Sequence, residues 1–458
     1  MSLLILSVLC ACSGTSEPPK SEQPLDSNQQ IISLSDIHFD PFFDNTLYPV
    51  LAKADIADWD SIFNTSSITP TYLDPNDNDT NWFLYKSTLN DLKTRNFDPP
   101  FLIITGDLLL HNMQRRFDAS VSEADRLSFT IKTMDFVYLQ LESVFPDTPI
   151  YAALGNNDNF MGNYSIEPGG DFLEGIADTW YRSIKANVDS VTFYQSFLAN
   201  GSYEARVNND HKILSLNTIL FFDGYPVTSV AEESVYTNAI TSQLIWLRDQ
   251  LEAARATGQK VWLIYHIPPG ADVYKTVSSK ALSKNWTSSS NQVFLELVRE
   301  YQDVITAQFG GHTHKDSFAL IQNEDRSTPI SFIHTTPSIS MSNRNYPGYH
   351  HIKVNADFEV LDYDAYFLSN AQNYASARWE KEYSFLEAYD ITSYTPESLW
   401  TLREKLNSDT TLQKQYINFF NVSYYRPSSS PNISAASWKA YWCAMGNQDF
   451  AAFEGCWK

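Results

Sequence analysis

Five short apolar runs punctuate the chain, and each one ends against a polar side chain. Ile31-Ile32-Ser33-Leu34 stops at Ser35-Asp36-Ile37-His38, and Phe101-Leu102-Ile103-Ile104-Thr105 stops at Gly106-Asp107. Pro149-Ile150-Tyr151-Ala152-Ala153-Leu154 gives way to Gly155-Asn156-Asn157-Asp158, and Val261-Trp262-Leu263-Ile264-Tyr265 to His266-Ile267-Pro268-Pro269-Gly270. Val304-Ile305-Thr306-Ala307 leads through Phe309 into Gly310-Gly311-His312-Thr313-His314. Apolar runs of this length, bounded by turn residues, predict buried strands. Between them Leu244, Leu247, Leu251 and Ala254 recur at helical spacing, with Thr241 placed to cap the start and Gly258 the end. Residues 291–301 carry Val293, Phe294, Leu297, Val298 and Tyr301 on one helical face, and residues 115–145 predict one or two helices more. Strands alternating with helices predict βαβ units and a layered α/β core. In such sheets ligands bind beyond the carboxyl ends of the strands.

Two stretches leave this rhythm. Residues 55–82 are polar, with Asp74, Asn76 and Asn78 alternating, but Tyr85 stands where the closing Glu of an EF-hand would be. That stretch reads as a solvated insertion. After Asp364 the chain becomes rich in Trp and Tyr, and Thr395-Pro396-Glu397 opens a helix with Pro at its first position. The expected organisation is a core over residues 30–366 and a helical C-terminal subdomain over residues 367–458.

Composition narrows the function. A formal net charge of −22 excludes a general nucleic-acid or anionic-membrane surface, which would need Lys and Arg patches. Any phosphate handled here must be met by bound cations. Leu3-Leu4-Ile5-Leu6-Ser7-Val8-Leu9 is shorter than the ~20 residues of a bilayer span and fits the apolar part of a secretory signal. Leu9-Cys10-Ala11-Cys12 also resembles a bacterial lipobox, which would make Cys12 the lipidated first residue of a mature, envelope-anchored chain; a generic signal cleaved nearby is the alternative. Residues 1–12 are therefore expected to direct export and residues 13–29, rich in Ser, Pro and Gln, to form a flexible tether. Past the tether the cysteines are Cys443 and Cys456. In an exported chain one disulfide is the simplest reading, in a cytosolic one a free pair.

Gly311-His312-Thr313-His314 sets two imidazoles on one tight turn, and neutral imidazole is the commonest protein metal ligand. Alone it could be a polar turn. Together, the strand ends offer Asp36, His38, Asp107, Asn156, His266, His312 and His314, nitrogen and oxygen donors without thiolate. Such a set suits Zn²⁺ first, with Mn²⁺ or Fe as alternatives, rather than Cu(I). These donors exceed what one tetrahedral ion takes. Two ions sharing a bridging carboxylate, ~3.5–4 Å apart, would use them all in phosphoester hydrolysis.

In this order the motifs D-x-H (Asp36, His38), G-D (Asp107), G-N (Asn156), a lone His (His266) and G-H-x-H (His312, His314) resemble the calcineurin-like metallophosphoesterase superfamily. Within it the chain resembles the acid sphingomyelinase-like phosphodiesterases. The similarity extends through residues 243–256, His266-Ile267-Pro268-Pro269-Gly270, Lys315-Asp316, Pro347-Gly348-Tyr349 and the C-terminal helices closed by Cys443 and Cys456.

The resemblance implies that Asp36, His38, Asp107 and His314 hold one metal and Asp107, Asn156, His266 and His312 the other, with Asp107 bridging. A metal-bridged hydroxide would then attack the phosphodiester. It further implies His111, four residues past Asp107, as a catalytic and substrate-side residue, and a C-terminal helical part at the mouth of the site. Where relatives often have Gly-Asn-His, this chain has Asn157, expected to contact substrate but unable to supply a proton. No cysteine-rich lipid-extracting module precedes Ile31, which argues against self-sufficient attack on bilayer sphingomyelin. Gly-Asn-Asn-Asp also resembles endopolyphosphatases. The expected substrate is a phosphoester, be it nucleotide, phospholipid headgroup or polyphosphate, handled by a monomer. A binding lipoprotein that kept the fold and lost the chemistry is the rival class, and the presence of every ligand position favours the enzyme.

Overall fold

The computed structural model describes residues 29–73, 79–224, 229–424 and 433–458, with the backbone alone at residues 230 and 231. The expected signal, Cys12, most of the tether, and Asp74, Asn76 and Asn78 lie outside these residues. Gln29, expected to end the tether, is already paired with Val354 as the first residue of a strand.

The strands are β1 (Gln29–Leu34), β2 (Leu102–Ile104), β3 (Ile150–Ala152), β4 (Tyr203–Arg206), β5 (His211–Ser215) and β6 (Lys260–Ile264), then β7 (Ile305–Gly310), β8 (Ser317–Gln322), β9 (Pro329–Thr335), β10 (Gly348–Val354), β11 (Val360–Ser369) and β12 (Arg378–Ser384). They form two six-stranded sheets, β12-β11-β10-β1-β2-β3 and β4-β5-β6-β7-β9-β8. The parallel parts are β1-β2-β3 at one end of the first sheet and β5-β6-β7-β9 in the middle of the other, and the remaining strands pair antiparallel. All five expected strands are present. Each reads as a continuous apolar run because both faces of a parallel sheet are covered. Trp262 stacks on Phe358 at 4.0 Å and meets Phe101 and Phe309, so side chains from both sheets fill one core.

The helices are as expected in place and less so in extent. The helix expected to start at Thr241 runs from Val230 to Thr257, capped by Ser229; Gly258 closes it at φ +75°. In its early turns Glu233, Ser234, Val235, Thr237 and Asn238 are exposed while Tyr236 and Ala239 are buried, an apolar pattern too sparse to reveal them from sequence. Residues 288–300 form the second, and Glu123–Val144 is one long helix. The solvated reading of residues 55–82 holds at exposed positions such as Asn64, Thr65 and 67–70 and fails at Trp59, Phe63, Asp79, Thr80 and Trp82, which are buried, the aromatics packing on Phe136.

The expected boundary at residue 366 also fails, because it falls inside β11 and the edge strand β12 follows. Helices begin at Phe385 and continue through Pro396–Ser408, Thr410–Phe420, Trp438–Gly446 and Phe450–Trp457, packed against β8 and β9. A Cys443–Cys456 disulfide ties the last two together. Asp316, at the foot of the Gly-His-Thr-His turn, anchors the strands β10, β11 and β12 beside these helices. Its buried carboxylate accepts from the Tyr363 and Tyr383 hydroxyls at 2.9 and 2.5 Å and meets His350 Nε2 at 3.1 Å. His350 Nδ1 in turn bonds His334 Nε2, and His334 Nδ1 bonds the Tyr394 hydroxyl, each at 2.9 Å.

Breaking a buried charged network on one side leaves its partners unsatisfied and costs about 3–5 kcal/mol. Asp316→Ala is therefore expected to lower stability by about that amount, read as a shift of the denaturant midpoint. An unchanged midpoint would contradict the anchoring role.

Candidate metal centre

The five strand ends converge at one place because the chain keeps pairing after the sheets end. The Asp36 N–H donates to the Gly106 carbonyl at 3.0 Å, His38 N–H to Asp107 at 2.9 Å, and Phe39 N–H to Leu108 at 2.8 Å. Asp158 then locks the second and third loops together. Its buried carboxylate accepts the backbone N–H groups of Asp107, Leu108, Leu109 and Gly155 at 2.7–3.1 Å. Gly155 has to be glycine here, since a Cβ would collide with the Asp107 backbone nitrogen and Oδ1. Asp36, His38, Asp107, His312 and His314 all adopt positive φ, between 47° and 71°. Such left-handed backbone costs of order 1–3 kcal/mol per residue and persists where the surroundings over-determine it.

All seven expected donors meet in this pocket, in two groups. In the first, His38 Nε2 and His314 Nε2 lie 3.1 Å apart, Asp36 Oδ1 is 3.7 and 3.4 Å from them, and Asp107 Oδ2 is 3.5 Å from His38. In the second, His266 Nε2 is 3.2 Å from Asp107 Oδ2 and 2.9 Å from Asn156 Oδ1, which is 2.8 Å from His312 Nδ1. Asp107 belongs to both.

The hydrogen bonds behind these atoms determine which way each faces. His38 Nδ1 and His266 Nδ1 bond the Leu109 and Thr105 carbonyl oxygens at 2.9 and 2.7 Å, which can only accept, so both protons sit on Nδ1 and both Nε2 atoms face the pocket. Asn156 Nδ2 donates to Asn163 Oδ1 at 2.6 Å and turns its own Oδ1 inward. Lone pairs thus face lone pairs, and Asp36 Oδ1 is fully buried with no hydrogen-bond donor. Only positive charge relieves this. Burial disfavours the imidazolium of His38 and of His266, yet the Asp107 carboxylate outweighs it and both are pushed up to about 9. A divalent cation supplies the same charge by replacing such protons. The residues fit two cations with Asp107 shared.

His111 and Asn157 fall differently. Asn157 spends its backbone N–H and its Nδ2 on Asp107 Oδ1 and Oδ2, at 2.7 and 2.8 Å. It orients the shared carboxylate and also lines the cavity, where it was expected to contact substrate. The ligand atoms of His38, His111 and His314 lie within 4.8 Å of one another. Even so, the His111 ring stacks on His38 at 3.8 Å with planes 16° apart, so an ion in the plane of one ring lies well out of the other's. His111 lines the cavity instead, beside the ligands. Its Nδ1 meets Asp79 Oδ1 at 2.8 Å.

Reading the sequence missed Asp79, Asp158, Asn163 and Ser342, whose Oγ bonds His314 Nδ1 at 3.3 Å. Asp158 stood in the Gly-Asn-Asn-Asp motif without a role; the others carried no local signal.

The cavity over this centre holds about 530 Å³. Its far wall comes from β8 and the C-terminal helices, through Phe318, Tyr416, Phe420, Tyr441 and Met445. Comparison with known proteins agrees with the geometry. The profile of the calcineurin-like phosphoesterases matches residues 30–316. The chain belongs to that family. Residues 328–458 of this phosphoesterase match the acid sphingomyelin phosphodiesterase C-terminal region.

An acid sphingomyelinase-like phosphodiesterase 3b from Homo sapiens is 29% identical over 398 residues, 82% of this chain and 80% of the relative. A sphingomyelinase phosphodiesterase D from Dictyostelium discoideum is 29% identical over 371 residues, covering 78% and 76%. A cyclic GMP-AMP phosphodiesterase from Bos taurus is 26% identical over 395 residues, covering 83% and 81%. The phosphoesterase is a metal-dependent phosphoric ester hydrolase of the acid sphingomyelinase-like group.

Gly155→Ala is expected to push Asp107 out of place. Since a 1 Å misplacement costs about 10²-fold in rate, turnover should fall by about that factor and metal content should drop with it. Full metal content and activity in a folded Gly155→Ala protein would contradict the shared role of Asp107.

Proposed function

We propose that this phosphoesterase hydrolyses a small organic phosphodiester with two divalent cations, zinc by preference. Asp36, His38, Asp107 and His314 would hold one cation, and Asp107, Asn156, His266 and His312 the other. When bound, the cations supply charge to the phosphoryl oxygens and activate water, working as Lewis acids in an otherwise acidic protein. The remaining steps fall to the chain's own side chains. Asn157 holds the Asp107 carboxylate in its shared orientation. His111, beside the ligands and open to the cavity, is the group that can hand a proton to the departing oxygen.

The observation that carries the choice of substrate is the cavity itself. Five aromatic or apolar side chains form its far wall, while the basic residues among its described lining are Lys315 and Arg344. Lys315 Nζ is committed to the carbonyls of Asn343 and Arg344 and to Asn421 Oδ1, at 2.7–3.1 Å. A polyphosphate chain calls for a track of basic side chains. An ester arm with a ring or an apolar body suits this wall better. The relatives named as a cyclic GMP-AMP phosphodiesterase and a sphingomyelinase phosphodiesterase support diester over monoester cleavage. Export, with Cys12 as the lipidation site in the stronger form, rests on the apolar run at residues 3–9 and is supported by the Cys443–Cys456 bond.

A panel of bis(p-nitrophenyl) phosphate, a cyclic dinucleotide, sphingomyelin in detergent, ATP and polyphosphate tests this reading. Diesters should be cleaved and polyphosphate left intact; release of phosphate from polyphosphate at rates matching the diesters would overturn it. His111→Ala should lose about 10²–10⁴-fold on a diester with a poor alkoxide leaving group and far less on its p-nitrophenyl counterpart. Equal losses would leave His111 a binding role only.

A further inference from the structure

We propose that Asp79 is the positioning residue for His111, fixing the ring so that Nε2 is presented to the departing ester oxygen. The inference rests on the hydrolase reading above, and specifically on His111 serving the leaving group. Asp79 is fully buried and grips His111 at two points. Oδ2 accepts the His111 backbone N–H at 2.9 Å, and Oδ1 meets ring Nδ1 at 2.8 Å. One contact sets the height of the loop and the other the rotation of the ring. An ionised carboxylate only accepts, so the proton on that side of the ring stays on Nδ1 and Nε2 is the atom left to work.

Asp79 is itself held by the same pairing that builds the metal centre. The Thr80 N–H donates to the His38 carbonyl at 3.0 Å and the Asp40 N–H to the Thr80 carbonyl at 2.9 Å. Ser340 Oγ donates to Asp79 Oδ1 at 3.3 Å and reaches Ser342 Oγ at 3.0 Å, and Ser342 bonds His314. One run of side chains therefore ties Asp79, and through it His111, to the neighbouring ligand His314. A rigid His111 matters in this chain because Asn157 has no proton to give. As the P–O bond breaks its electron pair stays on oxygen, Nε2 hands over its proton, and Nδ1–H remains on Asp79. Water adds to phosphorus and its own proton restores the ring.

The test is a double-mutant comparison of Asp79→Asn, His111→Ala and both together, assayed on the two leaving-group esters with metal content measured alongside. Asp79→Asn should lose about 10²-fold on the poor leaving group and much less on the p-nitrophenyl ester, with two metals retained. Adding it to His111→Ala should cost nothing further. Equal loss on both esters, or a full additional loss in the His111→Ala background, overturns the positioning role and leaves Asp79 structural. If His111→Ala itself fails to distinguish the esters, the reading of His111 falls first, so the two failures are separable. Should Asp79→Asn not fold, Asp79→Glu keeps the charge but moves the carboxylate by one methylene. It should show the same ester-dependent loss, and parent rates on both esters would overturn the proposal.

Discussion

Nitrogen and oxygen ligand atoms are forced against one another in the interior, and much of the molecule is arranged to keep them there. His266 Nε2 faces Asn156 Oδ1 and Asp107 Oδ2, and His38 Nε2 faces His314 Nε2, none more than 3.2 Å apart. In a solvated loop such atoms would turn away. Here the two Nδ1–H bonds to backbone carbonyls, the Asn163 bond to Asn156 and the four N–H groups on Asp158 prevent it. The left-handed backbone at five of the seven donors is the steric cost of aiming them inward. The core shared by the two sheets offsets it.

The C-terminal region adds a wall to that centre. Its helices rest on β8 and β9, and the N–H of Asp316, two residues past the Gly-His-Thr-His turn, donates to the Phe420 carbonyl at 3.3 Å while its carboxylate holds β11 and β12. A residue just past the metal-binding loop thus also meets a residue of the cavity wall through its backbone.

Much of this was legible in the sequence, and the reasons differ by residue. The strand ends announced themselves because buried parallel strands are unbroken apolar runs, and the residue after each run lies at the carboxyl edge where a site forms. Asp36, His38, Asp107, Asn156, His266, His312 and His314 all stand there. Asp79 could not be read this way. It follows a polar stretch and meets His111 only through pairing with residues 38–40. Ser340 lies 261 positions from Asp79 and carries no motif. The C-terminal boundary was misplaced because aromatic richness marks β11 and β12 as strongly as it marks the helices. For Asn157 its place in the motif was visible in the sequence, while its two bonds to Asp107 were not.

Metal stoichiometry of the purified, active protein tests the central claim most directly. Elemental analysis should find two divalent ions per chain, and Asp107→Asn, which weakens the shared donor of both groups, should lose both ions together with turnover while remaining folded. A protein that turns over diesters at full rate after exhaustive chelation, with no divalent ion remaining, would contradict the account.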